Sequence, residues 1–512
     1  MNAVIKDFFY TDNTGGVNLR SNQARVNQTL QATEMRLISN MDLYEEGGFV
    51  TQKGNVQLNS GVTDDEAILG LDGYKINDTW YVIYTKASGK AYVMSLSGGP
   101  ETEIKTGLNS AAKPKFIQFN SKAICFNGVD TPWAWNGTSV SNLTGLPASW
   151  SSIKPHDAAV YRGGRIFAIA GSTVYYCALG NENDWTSPGD AGSLSNLFTD
   201  DSTLTGVVDY GSALAIFSSR PRLYLLTGAT PSTYSVDPKA TNDSLTGRYA
   251  WAKDTENLYF FTGNWIKPLV TTDLGVIKLN AQLEITRRIA PFISGIKSIL
   301  PMVPIDRTRL DEPILLSNQL KNELIGYFPQ PGYTGFTIAA IFNMTTGGWC
   351  FRQATEITCA AVINGVVVTG TNDGKILQEF QGSSVVAGSF QKRILSPWFF
   401  FESPKSKKSI LRMWLWFRAP ASTTLTIRFF TDFNDNLALE ERTITLSGDE
   451  GSAAYEIGEY DIDTYGGELI ELKDFAPNLT ARHFSFELLS DSDGTEYEFI
   501  AYGFEVEYLD AY

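Results

Sequence analysis

The feature that most constrains this chain is a rhythm. From about residue 64, short apolar runs alternate with turn residues every 8 to 12 positions or so, and the runs gather into clusters that recur at roughly 45 to 55 residues. The clearest cluster reads Ala158-Ala159-Val160-Tyr161, a Gly163-Gly164 turn, Arg165-Ile166-Phe167-Ala168, a Gly171-Ser172 turn, then Val174-Tyr175-Tyr176-Cys177. Similar clusters lie around Trp80–Met94, Lys115–Trp135, Val207–Leu226, Leu258–Ile266 and Ile314–Phe351. Two more runs, with a hairpin turn at Asn372-Asp373-Gly374, finish the last of them. A four-stranded propeller blade has about this length, and a blade buries its faces only against its neighbours. The chain is therefore expected to be all-β, with a β-propeller of about six blades; a set of sandwiches would give similar local patterns.

The texture changes near Gly382-Ser383-Ser384. Beyond it come longer alternating runs, such as Leu411 to Phe417, Leu425 to Phe430, Phe484 to Leu489 and Phe504 to Tyr508, which read as an appended C-terminal β-sandwich. The expected division is 1–62, an N-terminal segment joining the propeller or platform; 63–385, the β-propeller; and 386–512, an acidic β-sandwich. Within the first segment Val26, Leu30, Leu37 and Met41 fit a helix face, but Leu37-Ile38 and Gly47-Gly48-Phe49-Val50 read as strand and turn, and extended structure is expected from Glu34 onward.

Aromatic residues make up 12% of the chain, a bias that suits pleated, half-buried surfaces. The net charge of -15 is unevenly placed: from Gln391 to Tyr512 there are 11 Lys plus Arg against 22 Asp plus Glu. Such a balance argues against a groove that tracks phosphates, which needs clustered cations. Cys125, Cys177, Cys350 and Cys359 have no metal-knuckle spacing and read as free, half-buried thiols. The first residues lack a basic region followed by an apolar core, so no secretory leader is expected, and no run of about 18 apolar residues predicts a membrane span.

Residues suited to catalysis are few. Only two histidines exist, His156 and His483, in different expected units and without a supporting nucleophile motif. Asp432-Phe-Asn434-Asp435-Asn436 resembles the start of a calcium loop but lacks its sixth-position glycine, and Thr443 stands where a bidentate Glu belongs. Asp491-Ser-Asp493-Gly494 reads as a hairpin tip, and Lys405-Ser-Lys407-Lys408 as a solvated basic loop. Acids near the propeller axis could serve a glycosidase, but repeated Asp-box turns are missing; Asn343 to Trp349 only echoes one. No catalytic, cofactor or metal residue is assigned, no cofactor is expected, and interface or channel residues are left open.

Several segments carry a resemblance. Glu34-x-x-Leu37-x-x-Asn40 leads through Gly47-Gly48-Phe49-Val50 to Lys53-Gly54. Tyr161-Arg162-Gly163-Gly164-Arg165-Ile166-Phe167 precedes Val174-Tyr175-Tyr176 and Asn183-Asp184-Trp185. Leu204-Thr205-Gly206-Val207-Val208 precedes Leu223-Tyr224-Leu225-Leu226-Thr227-Gly228, and Ala340-Ile341-Phe342-Asn343 runs to Gly348-Trp349. Over residues 30 to 380 the chain resembles the β-propeller tail-nozzle and tail-hub (tail tubular B type, head–tail stabilisation) proteins of short-tailed bacteriophages. It departs from them at Gln52-Lys53-Gly54, where that family often has Arg-Pro-Gly.

The resemblance implies a structural, non-enzymatic part of the virion tail, made in the host bacterial cytoplasm. It implies a ring of copies, commonly six, docked to the portal and adaptor and to tail fibre or spike proteins, with DNA passing through without specific binding. Six chains would sum to about -90, a wall that repels DNA rather than trapping it. The alternative expectation is a carbohydrate-binding or glycan-degrading tail propeller that recognises the host surface.

Overall fold

A computed structural model describes residues 4–19, 34–43, 47–62, 64–162, 164–195, 202–240, 244–255, 257–271, 277–279, 285–295, 302–386, 390–435, 437–448, 470–490 and 496–509. The rhythm is a β-propeller. Five separate four-stranded antiparallel sheets follow one another, with inner strands Ile68–Ile76, Lys115–Phe119, Asp157–Tyr161, Leu204–Tyr210 and Trp251–Lys253 (blades 1 to 5). Blade 6 starts at Ile314–Asn318 and ends in the 15-residue strand Trp349–Ile363. That strand changes partners along its length: residues 349–353 close blade 6 against 338–342, while 357–363 open a further blade against 366–371.

The count of about six therefore becomes seven. The runs after residue 357 form a blade of their own because its outer strand is supplied from the other end of the chain, by Asn55–Gln57 pairing with Ile376–Glu379. Three residues reading Asn-Val-Gln leave no apolar run for a sequence count to find.

Neighbouring blades bury each other's faces. Tyr74, Ile83 and Val93 of blade 1 pack with Phe116, Cys125 and Trp133 of blade 2. Leu71, Val82 and Tyr84 pack on the other side with Cys359, Ile363 and Val368 of blade 7, which closes the ring. Each such large side chain contributes about 1.5–3 kcal/mol by leaving water.

Closure rests on one buried ion pair. Arg352 donates to Glu379 Oε2 through Nη2 (2.7 Å) and Nε (3.1 Å), both side chains being almost fully buried. The same guanidinium donates to the carbonyls of Lys53 (2.7 Å) and Gly54 (2.9 Å), and Glu379 Oε1 accepts from Asn55 Nδ2 and Thr369 Oγ1. One arginine thus ties the N-terminal strand to the last blade. Gly54 is needed because a Cβ there would lie 1.7 Å from the carbonyl oxygen of Ser384.

The C-terminal unit is a two-sheet sandwich, and the N-terminal segment is shared between it and the propeller. One sheet orders Leu37–Ser39, Lys392–Leu395, Phe484–Ser490, Thr423–Thr431 and Glu440–Leu446. The other centres on Lys408–Arg418 and Glu498–Tyr508 and takes Val4–Tyr10, Phe49–Thr51 and Met41–Leu43 at its edge. The chain is extended from Glu34, with short strands to Leu43; Val26 and Leu30 lie outside the described residues. The sandwich is continuous with blade 6 where Ser39 pairs with Phe351. Asn40, at φ 58°, turns the chain there, and its side-chain oxygen accepts from the Gln353 N–H at 2.8 Å. Among the described residues no helix is long and apolar enough to cross a membrane.

Candidate functional site

Successive side chains of an inner strand point to the two faces of its blade, beside the propeller axis. In blades 1 to 5 the inner strands carry charge: Asp72, Lys115, Asp157, Asp209 and Lys253. Blades 6 and 7 offer Leu315, Ala360 and Val362 instead. Blades 1, 2, 5, 6 and 7 line a cavity of about 240 Å³. It runs from the end where the inner strands begin, at Lys113, Arg248 and Glu312, towards Lys253 and Ser317. A space of this size admits a small molecule.

The charges around the axis are unequally satisfied. Asp157 accepts from the backbone N–H of Val207 (2.9 Å) and of Ala158 (2.9 Å), which fills both oxygens. Burial holds its carboxyl above the usual range, with Lys115 partly offsetting this. Asp72 accepts from the adjacent Gly73 N–H (2.7 Å), and burial raises it too, again opposed by Lys115. Lys115 influences both acids yet forms no hydrogen bond or ion pair with a described residue; its Nζ stands 4.9 Å from the Trp251 ring centre. At the mouth Glu312 is held by Arg309 (2.9 and 2.7 Å) and Lys113 (3.4 Å), which keeps its carboxyl low. A two-carboxylate centre in this cavity would have to use Asp72 and Glu312, the only acids lining it, and Glu312 is already bound by a guanidinium.

The residues singled out in the sequence are placed as follows. His156 sits beside Asp157, its carbonyl accepting from Arg248 Nη1 at 2.7 Å, and burial lowers its imidazole pKa. His483 lies in the sandwich, its ring 4.3 Å from that of Phe433 and its Nδ1 3.5 Å from Asp432. The two are not brought together. In the calcium-like loop, Asp432 Oδ1 accepts from the N–H groups of Arg482 and His483, and both Asp435 oxygens accept from the buried Arg36. The loop is a hairpin end whose acids serve protein donors; Asn436 lies outside the described residues, as does Asp491–Gly494. No group of three or more potential metal ligands occurs among the described residues.

Lys405 and Lys407 are exposed, but Lys408 corrects the reading of a solvated run. It is fully buried, donating to the carbonyls of Ser403, Ser406 and Arg482, and burial pushes its pKa down to about 8. The four cysteines are free and fully buried rather than half-buried; burial pushes Cys177 up to about 11 and Cys359 to about 12. Asn343 to Trp349 is a turn in which Asn343 Oδ1 accepts from Thr345 and Thr346, and Trp349 is buried against Phe342.

A second feature had no signal in the sequence beyond strand alternation. The outer face of the sandwich sheet carries an apolar patch centred on Phe9, Trp414 and Trp416. Phe9, about half exposed, stacks on Trp414 (5.4 Å, 20°) across Gly503, with Trp416 at 6.1 Å. Gly503 makes that stacking possible, since a Cβ there would come 2.7 Å from the Phe9 ring. Leu472, opposite Trp416, and Ile5 extend the face, and both are about half exposed. Asp474, Arg412 and Glu505 form a charged rim, with Arg412 3.8 and 3.9 Å from the two acids.

No family model and no curated protein matches the chain. Among solved structures it is similar to the computationally designed Ika8 protein (12% identity, TM-score 0.37, 63% of this chain and 99% of that one). It is also similar to the WD40 domain of Neurospora crassa Pan2 (8%, 0.40, 65% and 97%) and to a chain of the mitotic checkpoint complex (12%, 0.40, 64% and 95%). These likenesses say nothing of function. By its own strand pairing the chain is an all-β protein, a seven-bladed β-propeller joined to a β-sandwich.

Proposed function

We propose that this chain is a structural subunit of a bacteriophage tail, a nozzle or hub protein that assembles as a ring around the DNA-ejection channel. The observation that supports this most is the apolar outer face of the sandwich, Ile5, Phe9, Trp414, Trp416 and Leu472, rimmed by charge. An exposed Phe9 beside the partly exposed Trp414 and Trp416 is the kind of aromatic patch that marks protein–protein contact. A neighbouring copy is the natural occupant in a ring. In this reading the channel lies between subunits, and the acidic balance of the C-terminal unit keeps the passing duplex from binding.

Negative-stain electron microscopy and mass photometry of the purified chain test the reading. Rings of uniform copy number are expected, and Phe9→Asp with Trp416→Ser should reduce them to monomers while the near-ultraviolet circular dichroism is kept. A monodisperse monomer at tens of micromolar that is also absent from virions would overturn it.

A further inference from the structure

We infer that the axial cavity of the propeller is a binding site for a small sugar acid, a compact ring carrying one carboxylate and several hydroxyls. The inference is independent of the ring assembly.

The electrostatics point first to an anion. Of the cations on the cavity wall, Lys113 pairs with Glu312, Lys253 lies 3.8 Å from Asp209 and Arg248 donates to the His156 carbonyl. Lys115, though close enough to Asp72 and Asp157 for its charge to act on both, has no hydrogen-bonded partner among the described residues. It is half-buried over the Trp251 face. An ammonium drawn partly out of water gains most from a charge-assisted bond, and a carboxylate supplies it.

The remaining chemistry narrows the class. Asp72 offers a carboxylate oxygen whose only described donor is its neighbour's N–H, so the ligand must also donate, as hydroxyls do. The opposite wall of Leu315, Ala360 and Val362 takes a face of C–H groups. At about 240 Å³ the cavity falls below the ~300–1,000 Å³ of drug-sized sites, which fits a single ring. Acetate lacks the hydroxyls, glucose lacks the charge, and a sugar acid has both.

Isothermal titration calorimetry of the full chain with sodium D-glucuronate, D-glucose and sodium acetate tests this. Saturable one-to-one binding of glucuronate is expected, at least tenfold tighter than either control. Lys115→Met should weaken it at least tenfold. Ala360→Leu fills the cavity without altering a charge, should abolish binding, and decides the matter if the lysine variant does not fold. The inference is overturned by no saturable heat with 20 mM glucuronate, by glucose or acetate binding as well as glucuronate, or by a folded variant that binds as tightly as the parent.

Discussion

Replacing Glu379 by Gln tests the account of how the ring closes. The substitution keeps the shape but leaves the Arg352 guanidinium, 2% exposed, without its counter-charge. Removing one partner of a buried pair costs about 3–5 kcal/mol, because the other charge stays buried and unpaired. Here the cost falls near the lower end, about 3 kcal/mol, since Arg352 keeps the carbonyls of Lys53 and Gly54 and lies over the rings of Phe380 (4.6 Å) and Phe390 (5.1 Å). At about 1.4 kcal/mol per factor of ten, the open form of blade 7 becomes roughly 10²-fold more populated. Native-state hydrogen exchange reads this directly. Amides of Val366–Thr371, Ile376–Glu379 and Asn55–Gln57 should exchange about two orders of magnitude faster, while those of blade 3, across the ring, keep their protection. Exchange in blade 7 within threefold of the parent, or an equal acceleration in every blade, would refute the reasoning.

Three further outcomes are expected. Glu323 is buried near Asp42, Lys321 and Arg352, and burial followed by Asp42 raises its pKa, so the folded state favours the protonated form. Its contribution is intact below the unfolded carboxyl range and falls as pH rises through the folded value, so Glu323→Gln should gain thermal stability over the parent on going from pH 4.5 to 8. Lys408, held down to about 8 against about 10.4 when unfolded, acts the other way: between these values the unfolded chain binds more protons, and stability rises with pH. Urea midpoints at pH 8 and 10 should show that rise in the parent and lose it in Lys408→Met. Finally, a Cβ on Gly247 would lie 1.9 Å from the carbonyl oxygen of Asp311, so Gly247→Ala should lower the urea midpoint by an amount worth about 1–3 kcal/mol.

Local pattern made much of the fold readable. The Ala158-to-Cys177 cluster shows its strands because alternation and Gly turns are set by neighbours in sequence, and these segments are the strands Asp157–Tyr161, Arg165–Ala170 and Thr173–Tyr176 of blade 3. Blade 7 was not readable, because its fourth strand lies some 320 residues away at Asn55–Gln57. The same limit hid Lys408. A Lys-Ser-Lys-Lys run looks solvated, but the carbonyls of Ser403 and Ser406 and, from a bend between two distant strands, Arg482 make its last member a buried donor.

The cavity and the aromatic face were hidden for a related reason. Asp72, Lys115 and Trp251 are ordinary strand residues in sequence, and Phe9 and Trp414 are 405 positions apart. What the sequence by itself determined is the all-β character, the blade rhythm and the acidic C-terminal unit, because each follows from short-range periodicity or from composition. The tertiary structure alone decided the number of blades, the sharing of the N-terminal segment between both units and the gathering of unpartnered groups at the axis. These depend on which distant strands and side chains meet, and such meetings leave no periodic trace along the chain.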